Sequence, residues 1–558
     1  MASTIQDPNV PATTAANETN YLNATKGIAS WLTTVDHKRI GIMYLMTILG
    51  FFLVGGTAAL IVRIHLMTAT MTADGTVANQ LLNPDAYNKA FTIHGVVMTF
   101  LVLVPSIPAA LGNFLLPLQL GTKDVAFPKV NLLSFYIYVI GALFFVFVLI
   151  FRQLDTGWTF YTPYSDADSQ TNVLMATFGA FVVGFSSILT GVNFIVTIHK
   201  MRAPGMTWRR LPLLVWSLYA TSVIQVLATP VIGITMLLLF FERAAGIGIF
   251  DPALGGDPIL FESFFWFYSH PVVYVMILPA FGIMSELFAV HSRKHIFGYD
   301  AIAASSVAIA VISFLVWGHH MFVSGQSALA STIFSLLTFG VAVPTSIKFF
   351  SWITTMYGGS VQMNAPMWWA FSFLFLFAIG GLTGLFLGTL STDIHIHDTY
   401  FIVSHFHYTM MGGTLIAFIA GLFHWWPKMW GKMYIEPLGT ISAIITFIGF
   451  NLTFIPQFVM GTRGMPRRYH GYLEEFAIFH QLSSIGSIVL ALGLVTAAVS
   501  LFGGLFRKER APDNPWGGLS LEWAAATPPI AHNFEDVIVV EHDPYRFPEI
   551  DYSKEKKS

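Results

Sequence analysis

About 12 apolar runs of roughly 20 residues or more divide this chain, and a hydrocarbon core about 30 Å thick is crossed by about 20 helical residues. The runs lie near 38–65, 88–115, 130–150, 174–198, 213–242, 262–288, 299–320, 328–355, 365–388, 400–426, 436–460 and 475–506. Each is far longer than a tilted barrel strand needs, so they read as helices, which satisfy their own backbone polar groups in lipid. With 55% hydrophobic and only 10% charged residues among 558, the chain is too apolar for a soluble protein of this length. The expected fold is an all-α integral membrane protein with about 12 transmembrane helices. No internal repeat or low-complexity tract interrupts it, which predicts one membrane domain over 31–507 between an N-terminal segment, 1–30, and a tail, 508–558.

Basic residues set the orientation. Lys38, Arg39, Lys123, Lys129, Lys200, Arg202, Arg209, Arg210, Arg293, Lys294, Lys428, Lys432, Arg507 and Lys508 gather at one set of helix ends, whereas the opposite loops hold mainly Asp, Gly, Pro and aromatics. The positive-inside rule then predicts that both termini are cytoplasmic. The first 30 residues lack an apolar core preceded by positive charge, so no cleaved signal peptide is expected. The tail, with Pro, acidic and basic residues mixed, is expected on the cytoplasmic surface. Membrane lipid is therefore the expected surrounding, and no nucleic acid partner is implied.

The chain contains no cysteine. An iron-sulfur cluster, a thiolate-bound copper or a disulfide is thus excluded for this chain alone, and any metal must use His, carboxylate or backbone ligands. Among the histidines within the expected spans are His94, His270, His319, His320, His405 and His407. One such histidine can simply hydrogen-bond a neighbouring helix, but six on four helices point to metal chemistry. In SHFHY, His405 and His407 are about 200° apart around a helix, so each suits a different partner. In WGHHMF, His319 and His320 diverge by about 100° at the end of a span, where local unwinding would bring both imidazoles to one ion. With His270 they form an all-imidazole set suited to copper or zinc, with copper favoured by affinity. A three-histidine zinc hydrolase would leave the other histidines unexplained.

The segments IHGVVMTF, SHPVVY, WGHHMF, VPTSIKFFSW, HDTYFIVSHFHY and GMPRRY resemble, in order and spacing, the signatures of subunit I of the heme-copper oxygen reductases, cytochrome c oxidases in particular. The resemblance runs through all the expected spans, and it implies helices surrounding two hemes and a copper. His94 and His407 would be axial ligands of a low-spin heme a, and His405 the proximal ligand of a high-spin heme a3. His270, His319 and His320 would hold the facing copper. Tyr274, at i+4 from His270 and on the same helical face, matches the tyrosine that the family cross-links to this histidine, a local source of a proton and an electron. Pro271 removes a backbone donor, so the helix can bend around the site.

Polar residues outside the metal set match the family's proton pathways. Lys348, costly within a span unless it snorkels to the surface, lies with Thr345 and Ser285 on what resembles the lysine pathway. Asp124, in GTKDVAFPKVN, with Asn113, Asn131, Asn193, Ser186 and Ser187, resembles the aspartate pathway. Where many members carry His-Pro-Glu, this chain has Val272. Tyr268 and Ser269 give the YSHP variant, and Tyr268, one turn from Val272, is expected to replace the missing glutamate. Arg467 and Arg468 match the pair that binds heme propionates, with Trp158 nearby, because guanidinium forks suit carboxylates. His397 and Asp398 match a magnesium site completed by a carboxylate from another subunit. His395 has no assigned role.

The resemblance implies a terminal respiratory oxidase in a bacterial-type cell (inner) membrane, reducing O2 to water and pumping protons. Its implied partners are a copper-bearing subunit II, subunit III and other small subunits, with cytochrome c or a bound cytochrome as donor. Two alternatives stand beside it. A quinol oxidase of the same superfamily would lack the copper motif in its partner, and a twelve-helix secondary transporter could also hide Lys and His in its core but would carry no heme.

Overall fold

The computed structural model describes residues 19–547. Its apolar helices are α1 (His37–His65), α2 (Pro84–Leu120), α3 (Pro128–Ile150), α4 (Val173–Lys200), α5 (Leu213–Ala245), α6 (Pro258–Ser292), α7 (Tyr299–Ser313), α8 (Ala328–Met356), α9 (Ala365–Gly388), α10 (Tyr400–Trp430), α11 (Glu436–Thr462) and α12 (Glu474–Gly504), and all but α7 are long enough to cross a membrane. Extended pairing among the described residues is limited to isolated bridges such as Thr399 with Pro466. The all-α membrane fold expected from the apolar runs is therefore the fold observed.

Two runs are interrupted, the first of them by the local unwinding expected at its end. The run at 299–320 ends as a helix at Ser313, and Trp317–Met321 forms a separate 3₁₀ turn. That unwinding is what His319 and His320 need in order to point the same way. The run at 328–355 breaks at Val341 into Ala328–Gly340 and Ala342–Met356. Pro344 sits in the first turn of the second piece, where its missing N–H leaves no helical bond unmade.

The centre of the bundle is set by which helices are buried. The most apolar windows of α2 and α6 are 89% buried, against 11% for α8, so the first two form the core and the last faces outward. Both central helices carry proline, and α2 widens to π-helical geometry over Val97–Leu103 and Ser106–Gly112, around Pro105 and Pro108. The third well-buried helix, α10, widens in the same way at Met410–Leu415, just past His405 and His407. Such bulges re-aim side chains within a continuous helix.

The segments flanking the bundle pack against one end of it. Tyr21 Oη donates to Met429 O at 2.5 Å, and Trp516 Nε1 donates to His424 O at 2.8 Å. Two of the basic residues that set the expected orientation are covered by the tail: Lys38 Nζ donates to Asn533 Oδ1 at 2.7 Å, and Lys428 Nζ to Ala525 O and Thr527 Oγ1, each at 2.6 Å. A buried ammonium needs such partners, because its unpaired desolvation costs several kcal/mol.

Candidate functional site

A cavity of about 1170 Å³ runs through the bundle, and all six of the singled-out histidines line it, together with Tyr274. Three of them form one cluster. The nitrogens that His270, His319 and His320 can offer lie within 4.8 Å of one another. An ion bonded to three imidazoles at about 2.0 Å needs nitrogens up to about 4 Å apart, so the set fits a metal with little movement. His270 Nδ1 faces His320 Nε2 at 3.1 Å, the His319 ring stands perpendicular to that of His270 at 4.5 Å, and Trp266 stacks on His320 at 3.7 Å. His319 Nδ1 is paired with Thr338 Oγ1 at 3.0 Å, an outer contact of the kind that fixes a ligand's ring orientation. His270 Nε2 is buried with no partner, and the Tyr274 ring lies 4.8 Å from the His270 ring.

His94 and His407 form a second arrangement. Their ring planes are 4° from parallel and their centres 6.2 Å apart. A metal held between two imidazole nitrogens at about 2 Å each sets ring centres roughly 6 Å apart. His94 Nδ1 donates to Gly55 O at 2.9 Å and His407 Nδ1 to Val403 O at 2.7 Å, so both rings carry their proton on Nδ1 and leave Nε2 as a lone-pair donor. His405 turns the other way, towards α9, where its Nδ1 pairs with Thr383 Oγ1 at 3.1 Å. Gly384 makes room for that ring, since a Cβ there would stand 3.1 Å from His405 Cε1, and the space beside Gly381 is open. The donor nitrogens, the parallel pair and the glycine-lined wall fit flat macrocycles.

At one end of the cavity Arg467, Arg468 and Trp158 line the wall. Arg468 adopts a left-handed backbone, φ 69°, and its guanidinium packs on Gly157, where a Cβ would come within 2.9 Å of it. Burial and the like charge of Arg467 pull the Arg468 guanidinium below its ordinary range, a strain that an anionic group in the cavity would relieve. Arg467 Nε is buried without a partner. Arg467 also pairs with Asp398 at 2.5 Å; burial opposes the Asp398 charge, but the guanidinium outweighs it and holds the carboxyl below the usual range. His397 pairs with Asp393 at 2.8 Å rather than with Asp398, and although burial opposes its charge, the Asp393 carboxylate raises the imidazole. His395 is exposed.

The proton-pathway candidates are not strung together by direct contacts. Lys348 is 1% exposed, so it does not snorkel; its Nζ donates to Ile302 O at 2.9 Å and Ser306 Oγ at 2.6 Å, both on α7. Thr345 lines the cavity, and its hydroxyl bonds back to Val341 O at 2.9 Å. Ser285 Oγ accepts from Trp352 Nε1 at 3.0 Å. On the other line, Asp124 Oδ1 accepts from the Val125 N–H at 2.7 Å, and burial pushes its carboxyl up to about 7. Asn131 is buried with both amide atoms unpartnered, and Asn113 Oδ1 is likewise free. Buried amides in that state call for water, as a proton path requires. Asn193 is different, because it clamps the Phe127 backbone at 2.9 and 3.1 Å. Ser186 shares Tyr44 with Ser134, at 3.0 and 3.1 Å. Tyr268 and Ser269 are both buried, and Ser269 Oγ has no partner.

Sequence reasoning missed Thr338, Thr383 and Ser306, which support site residues from other helices, and Asp393, which supports His397 from one turn earlier in the same segment. No spacing rule links Thr383 to a histidine 22 positions away. Arg63 was also missed. It sits in the last turn of α1, lines the cavity, and is 8% exposed with Nε unpartnered. A basic residue at a span's end reads as snorkelling, and only its burial reveals otherwise.

Comparison with known proteins agrees with this geometry. The family described as cytochrome C and quinol oxidase polypeptide I matches residues 39–489. Cytochrome c oxidase subunit 1 of Synechocystis is 45% identical over 92% of each chain, that of Thermostichus vulcanus 43% identical over 92% of each, and that of Bacillus subtilis 39% identical over 92% of this chain and 82% of its own. A solved heme-copper terminal oxidase dimer shares the fold, with a TM-score of 0.73 at 20% identity over 85% of each chain. With its cavity ringed by six histidines and a family match across nearly all its spans, this chain belongs to the cytochrome c and quinol oxidase polypeptide I family and is the catalytic subunit of a heme-copper terminal oxidase.

Proposed function

We propose that this catalytic subunit takes electrons originating from cytochrome c or a bound cytochrome, received through a copper-bearing partner subunit, reduces O2 to water and moves protons outward across the membrane. The observation that carries the reading is the convergence on one cavity of the His270, His319 and His320 cluster, His405 from α10, and the parallel His94 and His407 pair. His94 and His407 would hold the low-spin heme, His405 the high-spin heme, and the three-histidine cluster a copper. When bound, these groups supply O2 binding and the stored electrons. This chain's own residues position them and deliver protons.

Two features of the cavity favour heme a. Arg63, with an unpartnered buried Nε, suits a polar substituent on the macrocycle. An apolar extension along Leu490, Leu494, Leu501 and Phe502 gives room for a long hydrocarbon substituent. Arg467 and Arg468 are placed for propionates, with Trp158 against them. Tyr274 lines the cavity with its ring 4.8 Å from that of His270, whose unpartnered Nε2 a His-Tyr cross-link would use, and its hydroxyl would serve as a proton donor to the cluster. Lys348, Thr345 and Ser285 serve as one intake line, and Asp124, Asn113 and Asn131 as another, with water bridging their gaps and Tyr268 and Ser269 at the inner end. His397 and Asp398 would hold magnesium with a partner's carboxylate, in competition with Arg467. Subunit III and smaller subunits complete the complex in a bacterial-type inner membrane, with both termini cytoplasmic.

The reduced-minus-oxidised visible spectrum and the pyridine hemochrome of the purified complex test this reading. Heme a alone, with oxidation of cytochrome c rather than quinol, is expected. Heme b or o, or turnover on quinol only, overturns it.

A further inference from the structure

Next to Ser285 stands a carboxylic acid that neither intake line uses. Glu286 is 1% exposed, and none of the ion pairs among the described residues includes it. Its Oε1 accepts from the Leu214 N–H, in the first turn of α5, at 3.1 Å and from Tyr545 Oη at 2.6 Å. Tyr545 belongs to the tail, 259 residues away in sequence, and is itself 1% exposed. Its hydroxyl oxygen accepts from the Leu213 N–H at 2.6 Å, so it is locked in place with its proton directed at Glu286.

Other polar groups lie around this point. The Tyr545 ring lies 6.1 Å from Tyr299, whose hydroxyl donates to Leu211 O at 2.6 Å. Two residues before Tyr545, Asp543 lies 3.6 Å from His295, and the His295 side chain is half exposed. Inward, Ser285 contacts Trp352, which shares the second half of α8 with Lys348. A buried carboxyl without a cationic partner tends to keep its proton. Burial pushes the Tyr545 hydroxyl far up, so it remains a donor and does not ionise.

We infer that Glu286 is the inner carboxylic acid from which the Lys348 line draws its protons, and that Tyr545, a positioning residue supplied by the C-terminal tail, holds it in register. The inference rests on the reading of Lys348, Thr345 and Ser285 as an intake line. The competing role is purely structural: a Glu286 carboxylate capping the free N–H groups at the start of α5.

The test uses the complete purified complex with the variants Glu286→Gln, Glu286→Asp, Tyr545→Phe and Lys348→Met. Reduction of each heme is followed by stopped-flow absorbance, and the protonated carboxyl stretch by infrared difference spectroscopy. Glu286→Gln should slow reduction of the high-spin heme about tenfold or more, as for loss of a proton-transfer group, with low-spin heme reduction unchanged. Glu286→Asp should recover part of the rate. Tyr545→Phe should shift the carboxyl band that Glu286→Gln removes, and slow the high-spin step less. Normal high-spin reduction in Glu286→Gln alongside a slow Lys348→Met enzyme overturns the inference and leaves Glu286 as a helix cap. Normal reduction in both shows instead that the intake line itself was misread.

Discussion

His94 on α2 and His407 on α10 hold their imidazole planes within 4° of parallel at 6.2 Å between centres, while His405, two residues from His407, points to α9. One helix thus serves two sites through opposite faces. It follows that His405→Ala should abolish the carbon monoxide difference spectrum of the high-spin heme and leave the low-spin heme assembled. Loss of the low-spin signal alone would refute the assignment.

Lys348 is buried against Ser306 and the Ile302 carbonyl, not extended to the surface. Charge entering a site of low dielectric needs a compensating proton, so Lys348→Met should slow anaerobic reduction of the high-spin heme by at least about tenfold. Ser306→Ala, which removes one of two partners of the ammonium, should give an intermediate rate. Wild-type kinetics in both variants would remove Lys348 from proton delivery.

Asp124 carries its carboxyl in a loop outside the membrane spans, pushed up to about 7 by burial. A raised carboxyl pKa means that the folded protein holds this proton more tightly than the unfolded chain, so the site favours folding at low pH and costs stability as pH rises from about 4 through about 7. For proton uptake the same titration predicts a rate that declines above about pH 7, because less of the group is protonated. Oxygen uptake against pH should show this step in the native enzyme and lose it in Asp124→Asn, which should also lower turnover. An identical profile in the two proteins counts against the role.

Tyr268 is buried one turn from Val272, and it does not border the main cavity, whereas Tyr274 does. Its hydroxyl would therefore act through water. Tyr268→Phe keeps the ring and its packing, so the hemes and copper should be retained while turnover and external acidification by proteoliposomes decline. Adding Val272→Glu restores a carboxylate on the same face and should recover part of both. Unchanged turnover and pumping in Tyr268→Phe would make Tyr268 a packing residue.

Much of this protein was legible in the chain itself. Helices in lipid must satisfy their own hydrogen bonds, so long apolar runs declare the spans with little help from tertiary context. The 3.6-residue period likewise places His405 and His407 on different faces, and an unpaired charge inside a span is costly enough to draw attention to Lys348. The tertiary structure decided what those residues meet. Whether Lys348 snorkels or stays buried depends on Ser306, which lies on another helix, and the orientations of His319 and His405 depend on Thr338 and Thr383, again from other helices. The unwound turn at Trp317–Met321 arises where the chain bends to bring His319 and His320 together with His270. The tail shows the limit most clearly: its polar composition reads as a surface segment, yet Tyr545 and Asn533 are buried against Glu286 and Lys38. Local geometry is legible because helix hydrogen bonds and side-chain period are local, whereas these contacts join residues from 19 to 495 positions apart and exist only once the bundle has closed.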